Sequence, residues 1–386
     1  MKIIVDLRAL AGDQISGVKI YLTNLLSEIF RLDKKNRYFL WFNSATENFP
    51  KLAVPHSPRF KKIHTRFSNR ILNLKLGFSS SPPLDELILS TEDRREKIDL
   101  FWLPDPRPVA LSSDCRLVAT IHDLSPVRFP RFFSSKTRLW HRFLNPHRIA
   151  KSADRIIAVS DFTKSELEKY WAIPKAKISV TPLAAKLSTK RVLPKNLPKR
   201  FILALSTLEP RKNLKTLVHA FQEYRQENPD SAELVLAGDF DRKIFADPGI
   251  MKHEAGNMKH ETSSMQQGVH FLGKVSETEK AALFSAAEVF CFPSIYEGFG
   301  LPPLEAAAAG TPVLAADIPP LREVLGNAAK FIPPNNVDAW RIALVKILSD
   351  KKLQKKMSAA GKRRASEFSW EKTAQKTLAA FEDAVK

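Results

Sequence analysis

The chain has 386 residues, 44% hydrophobic and 26% charged, which excludes a disordered chain and fits a globular protein of two domains. Lys and Arg number 61 against 41 Asp and Glu, and the net charge of +20 suggests a polyanionic partner such as nucleic acid, anionic lipid or a phosphate-bearing substrate. The two cysteines, Cys115 and Cys291, lie far apart in the sequence. Neither a disulfide framework nor a structural zinc site is therefore expected, and a reducing cytoplasm fits.

The N-terminal half alternates short apolar strands with amphipathic helices. Asp6 and Arg8 interrupt any signal-peptide core in the first strand, and no apolar run reaches the roughly 18 residues that a membrane span needs. Strands are predicted at 2–7, 37–42, 100–104, 116–123 and 155–160, and helices at 18–30 and from Ser160 or Asp161 as the cap to 171. This alternation indicates a parallel sheet with crossover helices.

A segment rich in Pro and Lys, residues 185–200, has no periodicity and is predicted to be a linker. A second alternating series follows it, with strands predicted at 201–207, 233–239, 269–273, 289–293 and 312–316 and helices at 213–226 and 278–287. We therefore predict two doubly wound, Rossmann-like α/β domains over 1–184 and 201–366, followed by a C-terminal helix over 367–386.

The stretch FCFPSIYEGFGLPPLEAAAAGTPVLAA, residues 290–316, predicts a strand, a glycine-rich loop and a helix. Pro302 and Pro303 suit the first helical turn, and Gly310 suits the helix end. The turn from Gly298 to Gly300 leaves backbone amides exposed at the start of the helix, where an anion such as a phosphate can bind.

Glu297 and Glu305 flank this turn, with seven residues between them. We expect Glu305 in the first helical turn, where the helix dipole favours its ionised form, and a carboxylate there can accept two vicinal hydroxyls of a ribose. Glu297 is expected at the carboxyl edge of the sheet, where α/β folds bind ligands. The simpler interpretation is that Glu305 caps its own helix and Glu297 is a loop residue, but the glycines, prolines and strand context favour binding.

Arg211 and Lys212, in STLEPRKNLKTLVHAF, follow a predicted strand and begin a helix. The helix dipole disfavours cations at that end, so a bound anion explains the pair better than local stability does.

These stretches resemble the E-x7-E signature and the diphosphate-binding motif of retaining family 4 glycosyltransferases with the GT-B fold. Three stretches of the N-terminal half, within 69–88, 101–112 and 124–167, look most like the mannosyltransferase-type members. The resemblance implies two domains facing a cleft, with the acceptor on the first, the nucleotide sugar on the second, and the last helix crossing back to the first. It implies that Glu305 binds the ribose and that Glu297 lies by the donor sugar. Arg211 and Lys212 would stabilise the leaving diphosphate. The turn amides that contact sugar and diphosphate would be those of Gly298, Phe299, Gly300 and Leu301.

The resemblance extends to further positions. It implies that the backbone at Lys274 and Val275 borders the base and that His122, in IHDLSP, faces the donor sugar from the N-terminal domain, although a lone histidine at a strand end is more often structural. The first glycine-rich loop keeps Gly17, but Lys19 stands where the family often has a second glycine, and Thr207 stands where many relatives have an arginine.

Two basic regions remain outside these motifs. Residues 48–84 contain no acid, and residues 128–155 contain eight cations and one acid, interleaved with aromatic residues such as Trp140 and Phe143. Such mixtures suit an anionic membrane surface or a phospholipid-linked acceptor. An amphipathic helix with a solvated basic face and buried aromatics explains the second region equally well.

Asp239 and Asp241 form a D-x-D pattern that binds metal in the other large glycosyltransferase fold, but the two-domain pattern does not fit that fold, so no metal site is predicted. Residues 241–268 have no assignment, and His253 and His260 lack a convincing ligand partner.

The sequence as a whole predicts a retaining, metal-independent hexosyltransferase without a cofactor, with GDP-mannose as the first choice of donor and a glycan or lipid-linked acceptor of polysaccharide or glycolipid synthesis. We expect it in the cytoplasm, with peripheral contact to an anionic inner membrane face and no nucleic-acid partner. The alternatives are a basic nucleic-acid-binding protein, suggested by charge alone, and a catalytically silent sugar-nucleotide-binding protein.

Overall fold

The computed structural model describes residues 1–12, 17–78, 83–89, 97–239, 244 and 267–386. The chain divides into two compact units. The first comprises Met1–Leu124, Leu139–Leu183 and Ser369–Lys386, and the second comprises Ser125–Arg138 and Ala184–Phe368. Residues 125–138 thus group with the second unit, which differs from the predicted continuous domain over 1–184. Within the second unit, the Ser134 amide donates to the Ile244 carbonyl at 2.9 Å and the ring of Phe129 lies 5.1 Å from that of Tyr296.

The first unit is built on a seven-stranded parallel sheet with the order β3-β2-β1-β4-β5-β6-β7. Its strands are β1 Lys2–Asp6, β2 Arg37–Asn43, β3 Phe60–Thr65, β4 Leu100–Leu103, β5 Arg116–Ile121, β6 Arg155–Ala158 and β7 Ile178–Val180. The central strands are almost continuously apolar because a parallel sheet is covered on both faces.

The first seven helices in chain order are α1 Gly17–Leu32, α2 Asn69–Phe78, α3 Leu84–Ile88, α4 Ser125–Arg128, α5 Ser135–Leu144, α6 Pro146–Ser152 and α7 Asp161–Trp171. Helix α1 buries one stripe of apolar side chains, as its spacing predicts. Helix α7 is capped by Ser160, whose hydroxyl accepts a hydrogen bond from the Thr163 amide at 3.0 Å. Of the two predicted caps, the structure therefore uses Ser160.

The second unit is built on a six-stranded parallel sheet with the order β10-β9-β8-β11-β12-β13. Its strands are β8 Phe201–Leu205, β9 Glu233–Ala237, β10 Val269–Gly273, β11 Val289–Phe292, β12 Val313–Ala316 and β13 Ala329–Ile332. Its further helices are α8 Leu214–Glu227, α9 Glu277–Ala286, α10 Leu301–Ala309, α11 Pro319–Leu325, α12 Val337–Ser349 and α13 Lys351–Ser366. Two doubly wound parallel sheets confirm the predicted fold class.

The last helix, α14 Trp370–Val385, belongs to the first unit, as predicted. Its Phe381 is fully buried with its ring 5.3 Å from that of Trp102 on β4. The Thr373 hydroxyl donates to the Pro182 carbonyl at 2.6 Å, just after β7. The final 18 residues of the chain are therefore an integral part of the packing of the first unit.

Candidate functional site

The site in the second unit lies where the sheet order changes direction. Strands β8, β9 and β10 run to one side and β11, β12 and β13 to the other, so the loops after β8 and β11 meet at the carboxyl edge of adjacent strands. The Ile295 amide donates to the Arg211 carbonyl at 3.0 Å, and the Asn213 side-chain amide donates to the Pro293 carbonyl at 3.2 Å. In open α/β sheets, ligands bind at such a switch point.

A buried charged cluster occupies this junction. The Lys212 ammonium lies 2.6 Å from Glu297 Oε1, and both residues are more than nine-tenths buried. Arg211 lies 2.8 Å from Glu209 Oε1 and 3.6 Å from Glu297 Oε2. The structure therefore brings Arg211, Lys212 and Glu297 together, although Glu297 is 85 residues from Lys212 in the chain.

Glu209 is a member of the cluster that the sequence analysis missed. It is 2% exposed, and its Oε2 is buried without a hydrogen-bond partner among the described residues. The signal was present in the LEPRKN motif, where the acid stands two residues before Arg211. With its contact to Arg211, two carboxylates face two cations at this junction. An anion bound here would compete with both acids for the same cations.

Arg211 and Lys212 lie in a short 3-10 turn, Pro210–Lys212, and not in the helix itself. Asn213 follows in the left-handed conformation at φ 53° and precedes α8. The Lys212 ammonium also lies 5.3 Å from the centroid of the Phe292 ring, at the end of β11. The turn thus holds the lysine over the sheet edge.

The glycine turn leads directly into α10. Gly300 is the residue before the helix and has a φ of 96°, and a Cβ there would lie 2.4 Å from Leu321 Cδ2. Pro302 and Pro303 follow Leu301 in the first helical turn, as predicted, and neither has a backbone N–H. The amides that this end of the helix can offer an anion are therefore those of the turn and of Leu301. Gly310 ends the helix at φ 88°, also as predicted.

Glu305 lies one turn deeper than predicted. Helix α10 begins at Leu301, so Glu305 is its fifth residue, and the first turn of the helix contains no acid. The prediction that the helix dipole favours its ionised form is wrong, because burial dominates at 1% exposure. Burial raises the pKa of the Glu305 carboxyl to about 7, and the neighbouring Lys280 ammonium opposes that rise.

Lys280, on α9, is the second residue that the sequence analysis missed. Its ammonium lies 2.9 Å from Glu305 Oε1, and the residue as a whole is 5% exposed. Nothing in the local sequence marks it, because a lysine in a helix ordinarily lies at the surface. The contact depends on α9 packing against α10.

Lys274 and Val275 lie in the loop between β10 and α9, at the same carboxyl edge of the sheet. Lys274 is exposed and Val275 is half-buried. Their position follows β10, two strands from β8 in the sheet order. Their predicted place beside the base remains a prediction.

His122 and Gly17 belong to the first unit. His122 follows β5 and its Nε2 lies 2.9 Å from the Pro104 carbonyl, so Nε2 carries the proton of that bond and Nδ1 is left as an acceptor in the neutral ring. The centroid of the His122 ring also lies 4.9 Å from that of the Tyr21 ring, and the two rings are nearly perpendicular. Gly17 begins α1, and residues 13–16 of its loop lie outside the described residues. The prediction that His122 faces the donor sugar remains a prediction.

Two other predictions concern metals and membranes. The backbone carbonyl of Asp239 accepts from the Leu208 amide at 2.8 Å, while Asp241, His253 and His260 lie outside the described residues. Across the described ranges, no group of three His, Cys, Asp or Glu side chains is arranged to hold a metal ion. None of the helices in those ranges is both long enough and apolar enough to cross a membrane.

Comparison with known proteins shows the family of the chain. A family model described as Glycosyl transferases group 1 matches residues 186–364, and one described as Glycosyltransferase Family 4 matches residues 16–188. The chain is 31% identical over 279 residues to O-antigen chain mannosyltransferase B of Escherichia coli, a match that covers 69% of this chain and 70% of that protein. It is 30% identical over 288 residues to the MMP alpha-(1->4)-mannosyltransferase of Mycolicibacterium hassiacum, covering 70% of this chain and 66% of that protein.

Among solved structures, sucrose-phosphate synthase from Thermosynechococcus elongatus matches with a TM-score of 0.71 and 20% identity, over 99% of this chain and 98% of that one. At this identity the likeness shows the fold alone. That fold is GT-B, the arrangement of two Rossmann-like domains.

Proposed function

This chain belongs to the group 1 glycosyltransferases and is a hexosyltransferase, and we propose that it transfers mannose from GDP-mannose to a glycan or lipid-linked acceptor. The transfer would retain the anomeric configuration and need no metal. The observation that carries the proposal is the buried cluster of Arg211, Lys212, Glu209 and Glu297 at the switch point of the second sheet. Two relatives named mannosyltransferases support mannose as the sugar.

Arg211 and Lys212 supply the charge that the donor diphosphate requires. In many phosphoryl-group enzymes a divalent cation neutralises the leaving group, but two fixed cations in a buried site can do the same work electrostatically. The turn amides and Leu301 add donors at the start of α10. Glu305, at the next turn of that helix, would accept hydrogen bonds from the two hydroxyls of the ribose.

The reaction would proceed by attack on the same face of the sugar from which the diphosphate departs. The bond between the anomeric carbon and the β-phosphate oxygen breaks, and a bond from the acceptor hydroxyl oxygen to that carbon forms. The hydroxyl proton passes to the departing phosphate oxygen, and GDP and the mannosylated acceptor are the products. Glu297 would contact the sugar without acting as the nucleophile, because Lys212 and Arg211 hold both of its oxygens.

A transfer experiment tests this proposal. Purified protein would be incubated with GDP-mannose, EDTA and a membrane lipid or glycan extract. The mannosylated product would be analysed by mass spectrometry and by the one-bond C1–H1 coupling of the mannose in NMR. We expect transfer in EDTA with the donor's α configuration retained. Loss of transfer in EDTA that returns with Mg²⁺ would overturn metal independence, and a β product would overturn retention.

Helix α5 supports a lipid-linked acceptor. None of its ten residues is buried, Leu139 is 68% exposed and Trp140 is 39% exposed. Its sequence, SKTRLWHRFL, contains three cations and no acid. We infer that α5 lies on an anionic lipid surface at the inner membrane face, because exposed apolar side chains beside cations match that surface in both respects.

Co-sedimentation with vesicles tests the role of α5. We expect binding to vesicles of phosphatidylcholine with phosphatidylglycerol and little binding to phosphatidylcholine alone, with the binding weakened by salt. The double substitution of Leu139→Ser and Trp140→Ser should abolish it, whereas Ile342→Ser with Val345→Ser, which removes exposed apolar side chains from α12, should not. Equal loss in both double variants, or none in either, would contradict the role of α5.

A further inference from the structure

The pair of Lys280 and Glu305 is a buried ion pair that no motif explains. Both residues are at least 95% buried, and the ammonium lies 2.9 Å from Glu305 Oε1. Taking two opposite charges out of water costs several kcal/mol per ion, and their attraction often does no more than offset that cost. An apolar pair of similar volume would serve stability as well, so the pair points to a role beyond packing.

Lys280 also reaches a second carboxylate. Its ammonium lies 2.9 Å from Glu277 Oε2, one turn earlier on α9, and Glu277 is about half-exposed. The lysine thus connects an acid at the surface to an acid in the interior. The connection fixes the lysine head and directs it at one oxygen of Glu305, while Oε2 of Glu305 has no hydrogen-bond partner among the described residues.

We propose that Lys280 is a positioning residue for the nucleotide site, which keeps Glu305 ionised and turns its second carboxylate oxygen towards the ribose hydroxyls of the donor. This inference rests on the proposed function, since it assumes that Glu305 binds the ribose. A carboxylate accepts hydrogen bonds at both oxygens, whereas a neutral carboxyl group must donate its own proton to one partner. A diol that donates twice therefore selects the ionised form.

Among the charged groups of the described residues near Glu305, Lys280 is the one that favours the ionised carboxylate. Burial raises the pKa of Glu305 to about 7 even with the ammonium present, and Glu277 raises it slightly further. Burial by itself lowers the pKa of Lys280, but the two carboxylates outweigh that and hold it above its ordinary value. Lys280 therefore stays charged throughout the range in which Glu305 titrates.

The other elements that pack on α10 bring no competing charge to Glu305. Helix α13 meets α10 near Gly310, where it places Lys362, and α11 meets Gly300 through Leu321, while its Arg322 pairs with Asp317. The segments β11 and β12, VFCF and VLAA, contain no charged residue. Cys291 on β11 is buried, and burial raises the pKa of its thiol far above neutrality.

The test is a calorimetric titration with GDP-mannose between pH 6 and pH 9, because its doubly esterified diphosphate has no proton to lose in that range. Wild-type affinity should rise as the pH passes 7, where Glu305 ionises. Lys280→Met should lose about tenfold or more in affinity at pH 7, since the carboxyl then stays protonated, and should recover most of it at pH 9. Lys280→Arg should bind nearly as the wild type does, and Glu382→Gln, at an exposed position of the first unit, should leave affinity unchanged at every pH.

A purely structural lysine would behave differently. Lys280→Met would then lose the same factor at every pH, and that result would overturn the inference while leaving the proposed function intact. Failure of wild-type protein to bind GDP-mannose at any pH would overturn the proposed donor. Titration of the Glu305 carboxyl carbon by NMR needs no ligand: a midpoint that does not rise in Lys280→Met would exclude the role of Lys280 in either case.

Discussion

Lys212 shows at the scale of one residue how the site reconciles burial with charge. Its head group is paired with Glu297 at 2.6 Å and lies over the ring of Phe292, and these contacts offset the cost of desolvating the ammonium. In the proposed donor complex, the diphosphate would compete with Glu297 for this fixed ammonium. Preorganised charge of this kind stabilises a leaving group more than the mobile charge of a surface lysine does.

Replacing Lys212 with Met should lower kcat by about 10²- to 10³-fold, because the charge that stabilises the departing diphosphate is removed. Steady-state kinetics with GDP-mannose measure the effect, and a thermal melt shows whether the variant remains folded. Lys215→Met is the matched control, since Lys215 is exposed three residues further along and should leave kcat unchanged. Equal rates in the two variants would contradict the role of Lys212.

Some residues of the candidate site could be predicted from the sequence, and others could not. Glu297, Arg211 and Lys212 could be predicted because each lies in a short motif beside a strand end. Glu209 stands in the same motif as Arg211 and could have been assigned from it. Lys280 could not, because its significance depends on an ion pair with Glu305 that only the tertiary structure brings together. The burial of Glu305, which reverses the expected direction of its pKa shift, likewise depends on the packing around α10.

At the scale of elements, the site depends on where loops leave strands and helices begin. Strands with continuous apolar runs, such as β1 and β11, were predictable from sequence. Strand β3, FKKIHT, was not, because at the sheet edge it mixes exposed or half-buried cations with apolar residues. Strand β7 was also missed, since three residues give too short a pattern.

Gly300→Ala should destabilise the second unit by about 1–3 kcal/mol, because the residue has a φ of 96° and its new Cβ would lie 2.4 Å from Leu321 Cδ2. The strain falls on the turn whose amides are proposed to bind the diphosphate, so donor affinity should fall as well. Urea unfolding and calorimetry measure the two effects.

Gly17→Ala provides the comparison for the glycine in the turn. Gly17 has no positive φ, and a Cβ there meets nothing within 4 Å among the described residues. Its unfolding free energy should remain within about 0.5 kcal/mol of the wild type. Equal stability of the two variants would show that the turn before α10 tolerates a side chain, against the geometry described above.

At the scale of the whole molecule, the chain forms two parallel-sheet units, and its last helix completes the first of them. Helix α14 packs along α1 and the strands β4, β5, β6 and β7. Trp370 near its start lies 6.3 Å from Tyr21, which in turn contacts His122. Helix α14 thus packs against Tyr21, the residue whose ring contacts His122.

Phe381→Ala should destabilise the first unit by about 3–5 kcal/mol, because a fully buried ring beside Trp102 would be replaced by a cavity. Hydrogen exchange should show faster exchange in β4, β5 and α1, with smaller changes in the second unit. Glu382→Ala, at the exposed neighbouring position, should leave exchange unchanged. Uniform protection in both variants would mean that α14 contributes little to the first unit.

The most direct test of the proposed donor site is a calorimetric titration of GDP, UDP, ADP and GDP-mannose into the protein with EDTA present, using the wild type, Glu305→Gln and Glu382→Gln. We predict selective binding of the guanine nucleotides by the wild type, at least about tenfold weaker binding by Glu305→Gln, and unchanged binding by Glu382→Gln, at an exposed position of the first unit. Absence of nucleotide binding in EDTA, or equal affinity in Glu305→Gln, would contradict the proposed donor site in the second unit.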